Sequence, residues 1–95
     1  MSITILVELR VKPALVGAVA ERLKVALPET RQADGCLELT AYRDLDEPNR
    51  FIVIERWSSR GAYQAYLDSR RQTGSLDAMA ARLESPIGVT YLEAI

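Results

Sequence analysis

Arg50 to Tyr66 reads RFIVIERWSSRGAYQAY, and the rest of the chain is organised around this stretch. From Phe51 to Trp57 the side chains alternate, with Phe51, Val53, Glu55 and Trp57 on one side and Ile52, Ile54 and Arg56 on the other, which is the period of a β-strand. Ser58 or Ser59 follows, and either hydroxyl can accept a hydrogen bond from a free amide at a helix start. A helix is therefore expected from about Arg60 to Arg71, carrying Ala62, Tyr63, Tyr66, Leu67 and Arg70 along one side at spacings of three and four. Folded back over its strand, that helix brings Tyr63 or Tyr66 to Trp57. The space between them is the expected place for a site.

Working outward, Cys36 to Arg43 predicts a strand with Leu37, Leu39 and Ala41 toward the core and Cys36, Glu38, Thr40 and Tyr42 away from it. The polar segment DLDEPN, Asp44 to Asn49, is short enough to join it as a hairpin to the strand above. Ile3 to Val11 alternates in the same way, with Ile3, Ile5, Val7, Leu9 and Val11 on its helix-facing side. After Pro13, whose missing amide hydrogen suits a first helical turn, Val16, Val19, Ala20, Leu23 and Leu27 form the stripe of a first helix. Pro28 is expected to end or kink it, leaving Glu29 to Ala33 as a further turn or two before the Asp34-Gly35 turn. Beyond the second helix Gly74 is a breaker, Ser75 or Asp77 can start a short third helix with Leu76, Met79, Ala80 and Leu83, and Ile87 to Ile95 predicts a last strand. The order strand, helix, strand, strand, helix, strand is that of an α+β, ferredoxin-like βαββαβ sandwich with an extra short helix, one domain over residues 1–95. Helices on one face leave Leu6, Ile52, Ile54 and Leu92 on the other, so a homodimer joined through the sheet is expected.

Composition narrows the chemistry. A formal net charge of -1 gives no electrostatic case for nucleic acid or an anionic membrane. No apolar run approaches the roughly 18 residues a membrane span requires, and the start MSITILVELR lacks the basic flank of a secretory signal, so a cytoplasmic location is expected. The single cysteine, Cys36, has no partner for an internal disulfide. There is no histidine, which removes the commonest transition-metal ligand and the commonest general base near neutral pH. No metal site is expected. Any chemistry must run on carboxylates, tyrosines, arginines or the substrate itself.

In the order and spacing of these pieces the chain resembles the antibiotic biosynthesis monooxygenase family, whose members are dimeric ferredoxin-like α/β-barrels. The resemblance rests on the first strand and helix, the turn through Asp34, Gly35, Cys36 and Leu37, the hairpin, and above all Phe51 to Ser58, which is similar to the family's strand F-x-x-x-E-x-W-x-S. It implies a pocket between sheet and helices in which an aromatic substrate reacts with dioxygen without metal or flavin. It also implies that Trp57 lies at the pocket tryptophan. Tyr66 stands where many members carry a helix histidine. The haem-degrading branch is not implied, because its proximal histidine has no counterpart here.

The candidate residues each have two readings. Trp57 is either a wall for a planar substrate or a packing ring, and Tyr63 and Phe51 on the same layer are grouped with it as candidate substrate contacts. Glu55 is a carboxylate on a face that is otherwise apolar. Burial raises the pKa of such a group toward that of a general base, unless an ion pair or hydrogen bonds merely hold it in place. Tyr66 either handles a proton or is a satisfied core hydroxyl. Arg70, one turn beyond, either steadies a substrate oxyanion or is a surface charge. With these residues in those roles, the resemblance implies a cofactor-independent monooxygenase for a hydroquinone, naphthol or anthrone. The alternative is a non-catalytic dimeric module that binds a small hydrophobic molecule.

Overall fold

The computed structural model describes residues 2–95. Four runs of alternating side chains become one antiparallel sheet, formed by β1 (Ile3–Arg10), β2 (Cys36–Arg43), β3 (Arg50–Trp57) and β4 (Gly88–Leu92) in the spatial order β2-β3-β1-β4. Between them lie α1 (Val16–Arg31), entered through a single 3-10 turn at Pro13–Leu15, then α2 (Arg60–Gln72) and the short α3 (Ser75–Ala80). This is the expected α+β, ferredoxin-like arrangement.

The elements start and stop for local reasons. Ser59, in extended conformation, accepts the Ala62 amide at 3.0 Å and caps α2, which settles the choice between the two serines. α2 ends before Gly74, whose positive φ of 78° an L side chain rarely adopts. α3 starts from that glycine without a side-chain cap, so neither Ser75 nor Asp77 caps it.

Three expectations are corrected. Pro28 does not end α1, which continues to Arg31; Thr30 hydrogen-bonds the Ala26 carbonyl at 3.1 Å across this last turn. Leu37 does not face the core. A bulge between Cys36 and Glu38 throws its side chain outward, where it is 48% exposed, and instead sets Cys36 opposite Trp57 on the helix side. The last strand is Gly88–Leu92, shorter at both ends than Ile87 to Ile95.

The core is in two clusters. One gathers Leu9, Val11, Val19, Phe51 and Leu83, and the other Ile5, Trp57 and Tyr63, with half-buried Val7 touching both. Phe51 and Trp57 anchor opposite ends of β3 because large rings bury most apolar area where helices meet the sheet. Between the anchors the helices stand off the sheet, and a cavity of about 680 Å³ opens over Val53 and Glu55. On the opposite face of the sheet Leu6 and Ile52 are half-buried, while Ile54, Leu92 and Tyr42 are exposed.

Candidate functional site

The floor of the cavity comes from the middle of the sheet, where the inward positions of β1, β2 and β3 carry Val7, Leu39, Val53 and Glu55. Its roof is the stripe of α1, represented by Leu23, Ala26 and Leu27, together with Tyr63, Tyr66 and Leu67 of α2 and Met79 of α3. Such a wall is apolar and of a size that fits a small polycyclic molecule.

Glu55 is the only carboxylate in this lining. The residue is 7% exposed, and among the described residues its single hydrogen-bond partner is Trp57, whose indole Nε1–H donates to Oε1 at 2.8 Å. Burial pushes the Glu55 carboxyl above the ordinary carboxylate range, and the indole N–H opposes that shift in part by favouring the charged form. No arginine or lysine forms a salt bridge with it among the described residues. The ion-pair reading of Glu55 thus finds no support, and the hydrogen bond comes from a residue on its own strand.

Trp57 and Phe51 do not line the cavity, and on this point the expectation of a tryptophan wall is corrected. Trp57 is fully buried, packed edge-on to Tyr63 with centroids 5.5 Å apart and tilted against Tyr66 at 5.1 Å. Both tyrosines lie between the indole layer and the cavity, so what faces a ligand is Tyr63, Tyr66 and the carboxylate that Trp57 holds. Phe51 is buried in the other cluster, with the Arg43 guanidinium 5.4 Å from its ring centre.

Tyr63 lines the cavity, and among the described residues its hydroxyl has no protein hydrogen-bond partner. Burial, reinforced by the nearby Glu55 charge, pushes that phenol well above its usual range, so it stays protonated and able to donate.

Tyr66 is differently placed. Its hydroxyl lies 2.9 Å from Thr30 Oγ1 and accepts from Arg70 Nε at 3.1 Å, while an Arg70 terminal nitrogen donates to Thr30 Oγ1 at 3.3 Å. Since the Thr30 hydroxyl gives its own proton to the Ala26 carbonyl, the Tyr66 proton points to Thr30. Arg70, whose side chain is 19% exposed, is thus no free surface charge. It ties α2 to α1 and lines the cavity beside Tyr66, with Glu29 3.9 Å away on its outer side. The structure therefore brings Glu55, Tyr63, Tyr66 and Arg70 to one cavity and sets Trp57 and Phe51 behind it or beyond it.

Thr30 is the member of this group that the sequence reading missed. Continuing the α1 stripe by three from Leu27 reaches it, but a regular helix expected to end or kink at Pro28 hides that step. As for metals, no cluster of three or more cysteine, aspartate or glutamate side chains suited to hold an ion occurs among the described residues.

The chain is thus an α+β sandwich with a mostly apolar cavity between its layers, a buried acid on an inner strand and a tyrosine-bearing helix above it. The chain belongs to the antibiotic biosynthesis monooxygenase family, whose model matches residues 2–85. Solved structures agree in fold. A crystal structure of an antibiotic biosynthesis monooxygenase is 22% identical, with a TM-score of 0.88 and 98% of each chain covered. A conserved protein from Methanosarcina mazei is 19% identical with a TM-score of 0.87, covering 98% of this chain and 92% of that one. A Deinococcus radiodurans protein provisionally described as belonging to the same class is 28% identical with a TM-score of 0.84, covering 99% of this chain and 92% of that one. No curated protein matches the chain closely enough to count as a relative. No helix among the described residues is long and apolar enough to cross a membrane.

Proposed function

We propose that this protein is a cofactor-independent monooxygenase that oxidises an electron-rich aromatic, such as a hydroquinone, naphthol or anthrone, with dioxygen inside the interlayer cavity. The observation that carries the reading is Glu55, a buried carboxylate without a salt-bridge partner among the described residues, facing a mostly apolar space of about 680 Å³. An acid so placed has a raised pKa and is a stronger base toward a bound phenol or activated methylene than an exposed one.

For an anthrone the steps balance without another reductant. Glu55 removes a proton from the ring methylene, and the carbanion gives an electron to dioxygen. The radical pair then closes a carbon–oxygen bond, forming a peroxide that takes up a proton. Loss of the second methylene proton with cleavage of the oxygen–oxygen bond leaves a ketone and water. Four electrons leave the carbon and four reach dioxygen. The Tyr63 hydroxyl, and the Arg70 terminal nitrogen left over from Tyr66 and Thr30, can meet the negative oxygen that develops on the ring, and the mostly apolar lining limits water around the intermediate. Trp57 acts as a positioning residue, holding the Glu55 carboxylate.

The same reading makes the protein a homodimer. Leu6, Ile52, Ile54 and Leu92 form an apolar patch on the outer sheet face, next to the Glu8, Arg50 and Asp44 ion pairs. A second copy facing it would bury that patch. The rival reading, a dimeric module that binds a small hydrophobic molecule without turning it over, is favoured by one observation: the Tyr66 hydroxyl, at the position where the family histidine is expected, is already committed to Thr30 and Arg70.

Oxygen uptake with anthrone, 1-naphthol and menadiol separates the two. The enzyme reading expects catalysed uptake that a chelator does not reduce, with Glu55→Gln lowering the rate by roughly 10²–10⁴-fold. Uptake at only the uncatalysed rate, combined with binding of 1-naphthol, leaves the ligand-binding module.

A further inference from the structure

The charge of the cavity lining is not that of the chain. Overall, 12 lysines and arginines face 13 aspartates and glutamates. The lining holds four arginines, Arg22, Arg70, Arg71 and Arg82, against the single carboxylate Glu55. They come from three parts of the fold: Arg22 from α1, Arg70 and Arg71 from the last turn of α2, and Arg82 from just beyond α3. Two of the four have internal partners. Arg70 is engaged with Tyr66 and Thr30, and Arg71 pairs with Asp68 at 2.9 Å. Arg22, which is exposed, and Arg82, which is half-buried, make no side-chain hydrogen bond or salt bridge among the described residues.

Arginines without an internal partner beside leucines and a methionine are an unusual choice for a wall that only has to hold hydrocarbon. An anion that meets such an arginine gains charge-assisted hydrogen bonds, and the planar fork of donors matches a carboxylate with two parallel ones. Glu55 is not that anion, since among the described residues its carboxylate accepts only from Trp57 and it lies on the sheet floor. We infer that the substrate is an aromatic acid, a fused-ring phenol or hydroquinone bearing a carboxylate, whose ring lies over Val53 and Glu55 and whose carboxylate is held by Arg22 and Arg82. The inference deepens the proposed function and rests on its aromatic-binding cavity.

The two guanidinium groups also act before binding. Positive charge on the lining of a low-dielectric cleft draws in an anion and rejects a cationic aromatic amine of the same shape. Neutral hydroquinones can enter but lack this selection.

Matched ligands test the inference. Titration calorimetry with 1-hydroxy-2-naphthoate and with 1-naphthol compares the same ring with and without the acid. The expected result is about tenfold tighter binding of the naphthoate, shrinking as salt is raised. Arg22→Gln and Arg82→Gln, singly and together, should erase that advantage and leave 1-naphthol binding unchanged, whereas Lys24→Gln, on the same helix as Arg22 but outside the lining, should preserve it. Equal affinity of both ligands for the wild type, or an advantage that survives the double substitution, overturns the arginine assignment while the aromatic cavity stands. Failure of both ligands to bind overturns the cavity reading and this inference with it.

Discussion

At the scale of single residues, the carboxylate of Glu55 and the indole of Trp57 are best treated as one unit. The indole N–H stabilises the charged carboxylate, so removing it shifts Glu55 further toward the protonated form. Since a base must be deprotonated to act, the rise of kcat/KM with pH should move to higher pH in Trp57→Phe. Measurement of the pH–rate profile checks this. A residue that served only as packing would lower the rate at every pH and leave the position of the limb unchanged. Trp57→Ala should in addition cost about 3–5 kcal/mol in urea unfolding, because the ring is fully buried among Ile5, Tyr63 and Tyr66. Glu55 itself was legible in the sequence as the charged member of an apolar alternation. The engagement of Tyr66 was not, because it depends on Thr30 and Arg70, distant from each other in the chain and joined only when α1 and α2 pack together.

At the scale of elements, the turn between α1 and β2 controls how closely α2 approaches the sheet. Gly35 has a φ of 87°, and a Cβ there would lie 2.6 Å from the Ala62 side chain and 2.8 Å from the Ser58 hydroxyl. Gly35→Ala must therefore adopt a left-handed backbone and push the start of α2 away, at a cost of about 2 kcal/mol or more in urea unfolding. Gly17 makes the contrast. It lies in α1 with nothing within 4 Å of an added Cβ, so Gly17→Ala should stabilise the protein by about 0.5–1 kcal/mol. Opposite signs from one substitution type would show that the turn, and not glycine content, sets the helix position. The hydrophobic periods predicted the strands and helices well, whereas the bulge at Leu37 escaped them. A bulge shifts the pairing by one residue without altering the alternation of the local sequence.

At the scale of the whole molecule, the sheet has one face covered by helices and the other open with an apolar centre. If a second copy covers it, sedimentation at micromolar concentration should give twice the chain mass of 10.6 kDa, and Ile54→Glu should return the monomer. Ile54 is the residue to change because it is 42% exposed and pairs with Leu6 at the middle of the patch. A single-chain mass for the wild type would remove the dimer from the proposed function. Helix and sheet are held apart between two packed ends, and this separation makes the central space a cavity rather than core.

Local periodicity was enough to establish the sandwich, the order of its elements, and a carboxylate turned toward the helix layer on β3. Each of these follows from side-chain alternation and helical spacing within a few residues. Which rings face the cavity was a matter for the folded chain alone. Trp57 and Phe51 carry the same strand signature as Val53 and Glu55, and all four are buried, yet only the two middle ones line the cavity. The gathering of four arginines on one lining has the same origin, since arginines from three separate parts of the chain carry no sign in sequence of the space they share.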